Sequence, residues 1–218
     1  RSARTDIARA GTMDVARARF RMVIVMICRF IDEMMSRRIV LASGSPRRRQ
    51  LLADLGVDFT VETIDGVDET VDASLAADDV PLAISRKKSQ AYCDARHPDD
   101  NTIVITADTV VVVDDEVLGK PAGAADARRM LGLLSGRTHR VVTGVTVVRG
   151  DHRDTRRQVT EVSFKSLSDD EIEYYISTYR PFDKAGAYGI QEWIGCVGIE
   201  GISGDYYNVM GLPLRLLY

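Results

Sequence analysis

The stretch Ile39-Val40-Leu41-Ala42-Ser43-Gly44-Ser45-Pro46-Arg47-Arg48-Arg49-Gln50-Leu51-Leu52 decides how the rest of the chain is read. Its first four residues are apolar, two of them β-branched, and predict a short buried strand. Ser45 then reads as a helix N-cap, Pro46 as the first helical residue, Leu51, Leu52 and Leu55 as the apolar stripe, and Gly56 as the stop. A strand, a tight loop and a helix in that order open an α/β domain. Free N–H groups at such a helix start bind anions, and guanidinium groups add paired contacts to phosphate. Three arginines in one first turn oppose the helix dipole, so a bound anion is the compensation this segment implies. The stretch has neither the G-x-x-x-x-G-K-[ST] nor the G-x-G-x-x-G pattern.

Working outward, residues 57–64 predict a second strand, 65–73 an acidic loop, 81–96 a helix, and 102–106 a strand with Asp108 at its end. Residues 110–113 and 117–118 read as a hairpin around Asp114-Asp115-Glu116, and 124–135 as a helix stopped by Gly136. Two long strands, 141–149 and 158–165, flank a polar turn at Gly150-Asp151. Ser168-Asp169-Asp170-Glu171 is a capping box opening a helix to about Tyr179. Residues 183–218 are Gly-rich and read as loops with short strands. The fold class is mixed α/β.

At 218 residues, with 45% hydrophobic and 28% charged residues, the chain is long enough for one domain with a full core. Its net charge of −3 hides an asymmetry, because residues 1–38 hold nine Arg against four acidic residues. What remains is clearly acidic, which excludes a general nucleic-acid binder and makes any anion site local. Cys28, Cys93 and Cys196 form no C-x-x-C pair, so neither a disulfide framework nor a thiolate zinc site is indicated, and a reducing cytoplasm fits. The apolar run Met22 to Cys28 is far below the roughly 20 residues that span a bilayer. Residues 1–36 contain five of the seven Met and no Lys, and read as an extension outside the domain, with Met34 or Met35 as the expected start. A domain over 37–218 follows.

Chemistry concentrates in a few segments. Asp65-Gly66-Val67-Asp68-Glu69-Thr70 and Thr106-Ala107-Asp108-Thr109 are acidic segments able to converge on Mg²⁺, which takes one or two carboxylates together with waters and phosphate oxygens. Asp108 is the sharper candidate, since a carboxylate set between two apolar runs needs a partner or a task. Only five Lys accompany 24 Arg, and Lys88 on a helix and Lys120 in a stiff Gly-Lys-Pro turn are candidate phosphate ligands. His97, His139 and His152 lack metal-ligand spacing and read as surface residues. Trp193, Tyr206 and Tyr207 read as packing residues ahead of a base-stacking role. No Ser-His-Asp arrangement is present.

In combination, Ser-Gly-Ser-Pro-Arg-Arg (43–48), Val-Asp-Glu-Thr (67–70), Thr-Ala-Asp-Thr (106–109), Gly-Lys-Pro (119–121), Leu-Ser-Gly (134–136), Asp-Lys-Ala-Gly-Ala-Tyr-Gly-Ile-Gln (183–191) and Gly-Leu-Pro-Leu (211–214) closely resemble the Maf family of nucleoside triphosphate pyrophosphatases. The resemblance covers about residues 37–218. It implies a Maf/ITPase-like fold, a curved mixed β-sheet with α/β lobes around a central cleft. It also implies divalent-metal-dependent (Mg²⁺ or Mn²⁺) hydrolysis of a nucleoside triphosphate to monophosphate and pyrophosphate. Asp108 matches the family's proton acceptor. Arg47, Thr109 and Gln191 match the residues marking the branch that acts on dTTP and UTP, with modified pyrimidine nucleotides as a further expectation.

On this reading Ser45, Arg47, Arg48, Lys88 and Lys120 hold phosphates, while Glu69 and Asp108 serve the metal and the chemistry. Two departures stand out. Glu192-Trp193 follows Gln191 where a small Gly-containing turn is commoner, and the chain ends at Tyr218, where the family usually continues its helix. The expected partners are a nucleoside triphosphate and, as an assembly, a homodimer, with no nucleic acid and no membrane. Two rivals are a non-catalytic nucleotide-binding regulator of cell division and a hydrolase releasing the terminal phosphate.

Overall fold

The first strand, β1 (Arg38–Leu41), is buried over its last three residues, as the pair Ile39-Val40 requires. In the computed structural model, residues 36–218 are described, and the expectations for residues 1–35 lie outside them. Helix α1 (Pro46–Asp54) starts as its residues dictate. Ser45 takes extended backbone, its Oγ accepts the Arg48 N–H at 3.4 Å, and Pro46 occupies the first turn. The expected strand over 57–64 contracts to β2 (Thr60–Val61), which pairs in parallel at Val40↔Thr60 and Leu41↔Val61. Both β2 residues are exposed and β1 itself ends at Leu41, so nothing extends the ladder.

A 3₁₀ turn at Ala77–Asp79 leads into α2 (Val80–Arg96), followed by β3 (Thr102–Val113) and β4 (Glu116–Leu118). Helix α3 (Ala124–Leu134) precedes the long hairpin β5 (Thr138–Arg149) and β6 (His152–Phe164), and the capping box opens α4 (Asp169–Tyr179). After a 3₁₀ turn at Ala185–Ala187 come α5 (Trp193–Gly198), β7 (Ile199–Ser203), α6 (Tyr206–Met210) and α7 (Leu214–Leu217). The C-terminal part is therefore more helical than expected, and its short helices have local causes. Asp205 Oδ1 accepts the Tyr207 N–H at 2.8 Å to start α6, and the fully buried Asn208 ties that helix to Val141 O and Thr160 Oγ1, each at 2.9 Å.

Among the described residues the strands form one mixed sheet in the order β2-β1-β3-β5-β6-β7, with β4 also on β3. Period-two alternation along β3 divides the core. Val104, Val110 and Val112 face α2, packing with Val80, Ile84 and Tyr92, whereas Val111 and Val113 join the larger cluster built on α3 and α4. Being covered on both faces, β3 carries an almost unbroken apolar run.

Two expectations change here. Asp108 does not end a strand: β3 is continuous over 12 residues, and Asp108 lies mid-strand opposite Gly144 of β5. It is nevertheless accessible. One edge of β3 is paired with β5 from Val104 to Val112, while the other edge is shared. The Ala42 N–H reaches Ile105 O next to β1, and β4 pairs only from Val111 onward, so the edge from Ala107 to Val110 lies open between them. His139 is not a surface residue but 2% exposed, since its place in the alternation of β5 turns it inward with Val141. Its Nε2 meets the Tyr188 hydroxyl at 2.8 Å, and burial pushes its pKa down to about 4.

Candidate active site

The open edge of β3 faces a cleft of about 520 Å³, a usual size for a small-molecule site. All of the predicted site residues line it: Ser45, Arg47, Arg48, Glu69, Lys88, Asp108, Thr109, Lys120 and Gln191. They arrive from the start of α1, the acidic loop, α2, β3, the turn after β4 and the segment before α5.

The acid–base part is built from β3, α2 and the acidic loop. Lys88 Nζ lies 2.7 Å from Asp108 Oδ1 and 3.1 Å from Glu69 Oε1, so one ammonium joins two carboxylates. The Asp108 and Lys88 side chains are 14% and 20% exposed, whereas Glu69 is 53% exposed. Glu69 is held within reach because its neighbours are anchored to α2. Lys87 Nζ pairs with Asp68 at 3.3 Å and donates to Thr70 O, and hydrogen bonds from Thr70, with further help from Lys87, hold the Asp68 carboxyl at about 2. A Cβ on Gly144 would stand 2.4 Å from Pro81 O, so the bare glycine lets the start of α2 lie directly on the sheet.

The basic part is built around Arg48. Its Nε donates to Gly211 O at 2.8 Å, Nη2 to Thr109 Oγ1 at 3.0 Å and Nη1 to Ser43 Oγ at 3.4 Å. Thr109 Oγ1 in turn meets Thr143 Oγ1 at 2.9 Å, and Thr143 Oγ1 reaches Asn208 O at 3.1 Å. A chain of hydroxyls crossing β3 and β5 thus fixes one guanidinium at the start of α1. Burial lowers the Arg48 pKa, with the Asp108 carboxylate opposing that pull.

The remaining wall is the segment 183–191. Arg47 Nη1 pairs with Asp183 Oδ2 at 2.7 Å, Lys184 Nζ with Asp183 Oδ1 at 2.8 Å and with Glu192 Oε1 at 2.9 Å. Glu192 accepts the Tyr175 hydroxyl, which itself accepts the Gly189 N–H at 3.0 Å. Burial pushes the Asp183 carboxyl up, and the hydrogen bonds from Lys184 and Arg47 outweigh it, holding the group at about 2. The Gly186 N–H donates to Gly119 O at 3.1 Å and joins this segment to the turn carrying Lys120. Gly186 takes φ 66°, and a Cβ there would meet Val111 at 2.8 Å, so only glycine fits.

Sequence reasoning gave no site role to Asp183 and Lys184, which line the cleft, nor to Glu192, which lies outside the lining and holds Lys184. Lys184 carried a usable signal: a lysine followed by Ala-Gly-Ala-Tyr-Gly is a charge set in an apolar segment and needs partners. Trp193, Tyr206 and Tyr207 stay out of the cleft lining, and Trp193 packs edge-on against Tyr174 at 4.9 Å. Arg49, third of the arginines, is exposed on α1 and is also absent from the lining.

A helix start rich in guanidinium and a carboxylate–ammonium–carboxylate group, both lining one cleft at the open edge of a mixed sheet, define an α/β protein whose cleft carries the charges to hold a polyanion. Residues 38–218 match the family described as Maf-like protein, and the chain belongs to it. It is 52% identical over 181 residues to the dTTP/UTP pyrophosphatase of Phocaeicola vulgatus, covering 83% of this chain and 93% of that protein. It is 50% identical over 181 residues to the dTTP/UTP pyrophosphatase of Bacteroides fragilis, with the same coverage of 83% and 93%. Among solved structures, a HAM1 protein from Coxiella burnetii aligns over 58% of this chain and 72% of its own at 15% identity, with a TM-score of only 0.36.

Proposed function

We propose that this protein hydrolyses nucleoside triphosphates, dTTP and UTP foremost and modified pyrimidine nucleotides with them, to the monophosphate and pyrophosphate. The observation that carries this reading is the placing of Asp108, Lys88 and Glu69 in one cleft with the Arg48 end of α1. The names of the relatives support the substrates.

The donor set fits a divalent cation shared with the substrate. Asp108 and Glu69 already converge on one positive charge, while among the described residues no group of three His, Cys, Asp or Glu could cage a metal alone. Mg²⁺ is held in this manner, by one or two carboxylates with phosphate oxygens and waters completing its shell. When bound, Mg²⁺ or Mn²⁺ supplies charge neutralisation of the triphosphate.

The chain's own residues do the rest. Arg48 and Lys120, with the N–H groups beside Ser45, hold the phosphates and stabilise the charge that builds on the departing group. Asp108 orients a water and takes its proton at a carboxylate oxygen as the water oxygen bonds to the α-phosphorus. The bond from that phosphorus to the α,β-bridging oxygen breaks, and pyrophosphate leaves with the electron pair. Lys88 fixes the orientation of the Asp108 carboxylate. Because the Thr109 hydroxyl is engaged with Arg48 and Thr143, it acts on phosphate binding by holding Arg48 in place. Gln191, exposed at the cleft rim, can both donate to and accept from a pyrimidine edge that carries O4 and N3–H.

The cellular setting we assign is the cytoplasm, with free Cys93 and Cys196 consistent with it, and the assembly we assign is a homodimer, to be read by light scattering. Among the described residues no helix is long and apolar enough to cross a membrane. The test of function is incubation with Mg²⁺ and dTTP, UTP, CTP, ATP, GTP or 7-methyl-GTP, resolving pyrophosphate from orthophosphate. Pyrophosphate and monophosphate from dTTP and UTP are expected. Orthophosphate as the first product, or nucleotide binding without turnover in Mg²⁺ or Mn²⁺, overturns the reading.

A further inference from the structure

Arg47 and Arg48 leave the same turn of α1, yet their charges are treated differently. Every side-chain hydrogen bond described for Arg48 ends on a neutral oxygen, of Gly211, Thr109 or Ser43. Arg47 is instead clamped to Asp183 through the carboxylate at 2.7 Å and, from Nη2, the backbone carbonyl at 3.5 Å. Asp183 is itself immobilised by Lys184, which is 8% exposed and held from its other side by Glu192 and, behind that, Tyr175. Arg47, Asp183, Lys184 and Glu192 alternate in sign and sum to no charge. Such a chain adds little attraction for a triphosphate, whose charge is met by Arg48 and Lys120. What it provides is a guanidinium of fixed direction, with N–H groups remaining for a neutral acceptor.

We infer that Asp183, steadied by Lys184 and Glu192, is a specificity-determining positioning residue that sets Arg47 as a rigid hydrogen-bond donor to the C4 carbonyl oxygen of the base, and withdraws it from phosphate binding. This rests on the nucleoside triphosphate reading above and separates the two tasks expected of Arg47. Uracil and thymine offer carbonyl oxygens at both C2 and C4. Cytosine shares the C2 carbonyl but carries an amino donor at C4, so a donor held rigidly towards the C4 substituent pairs with uracil or thymine and faces another donor in cytosine. The fixed Arg47 therefore selects the dioxo pyrimidines over cytosine.

Calorimetric titration of the full chain with UMP, CMP and inorganic tripolyphosphate tests this without relying on turnover. The unmodified protein is expected to prefer UMP over CMP by about tenfold or more. In Asp183→Asn the UMP:CMP ratio is expected to fall towards one while tripolyphosphate affinity stays equal or rises, because Arg47 is released from its clamp. In an Arg47→Lys background the same substitution is expected to change the ratio no further. Glu192→Gln, at the far end of the chain of charges, is the second arm and lowers the ratio in the same direction if Asp183→Asn does not fold. Absence of discrimination in the unmodified protein, a preserved ratio in the variants, or equal losses for UMP and tripolyphosphate overturn the inference. Pyrophosphate release from UTP, measured alongside, judges the hydrolase reading separately: its absence overturns that reading, and the binding ratios still decide the role of Asp183.

Discussion

Asp108 and Gly144 face one another across the β3–β5 ladder, and the missing side chain of Gly144 lets α2 descend far enough to set Lys88 Nζ 2.7 Å from Asp108 Oδ1. The geometry of the Asp108–Lys88 pair thus depends on a residue outside the cleft lining. Gly144→Ala places a Cβ against the Pro81 carbonyl and the Leu82 nitrogen, at 2.4 and 2.6 Å, and these backbone atoms can yield only if α2 moves. A loss of about 1–3 kcal/mol in stability is expected, with turnover of UTP reduced about tenfold by the displaced lysine. Thermal melts and initial rates check this, and a variant with unchanged rate would show that α2 need not lie so close.

The proton acceptor is tested at Asp108 itself. Asp108→Asn keeps the shape and the hydrogen bond but cannot take a proton, so turnover is expected to fall on the order of 10²-fold or more. Nucleotide affinity should persist. Near-normal pyrophosphate release by this variant would remove Asp108 from the mechanism.

Arg48 is held through three of its nitrogens, a geometry that an ammonium cannot reproduce. Arg48→Lys is expected to lower kcat/KM on the order of 10²-fold for every triphosphate alike. Thr109→Val, which removes only the hydroxyl accepting from Nη2, should act in the same direction and more weakly. A change confined to one base, with phosphate binding intact, would contradict the role given to Arg48.

His139 makes stability depend on pH. Its pKa is depressed by burial from 6.5 to about 4, so it stays neutral in the folded chain while the unfolded chain takes up a proton. The corresponding stability is fully present above pH 6.5 and is lost as pH falls towards 4, at up to about 1.4 kcal/mol per unit. Melts across that window should show the slope, and His139→Gln, which keeps a polar partner for Tyr188, should flatten it. The same slope in that variant would assign the loss to other groups.

Much of this was legible because it is local. The start of α1 follows from Ser45 and Pro46, and the start of α4 from a box of four residues, because capping bonds join positions three apart. Asp108 stands out in the sequence as a charge between apolar runs, but a polar residue there suggests a strand end, whereas β3 continues and the open stretch of its edge is made by where β1 and β4 stop. His139 was misplaced for the opposite reason, since its parity with Val141 along β5 was readable but its charge type suggested the surface.

By itself the sequence determined most of the strands and helices up to α4, where the helix carrying Arg47 and Arg48 starts, and which residue types supply charge. Short-range hydrogen bonding and hydrophobic periodicity act within a few residues and need no knowledge of the rest. Tertiary structure alone decided the partnerships across the cleft. Arg47 and Asp183 stand 136 positions apart, and Arg48 and Gly211 163 apart. Which cation is neutralised by a neighbour and which remains for the substrate follows from how the sheet and its two helical layers bring distant segments to the open edge of β3. No local pattern encodes that distance.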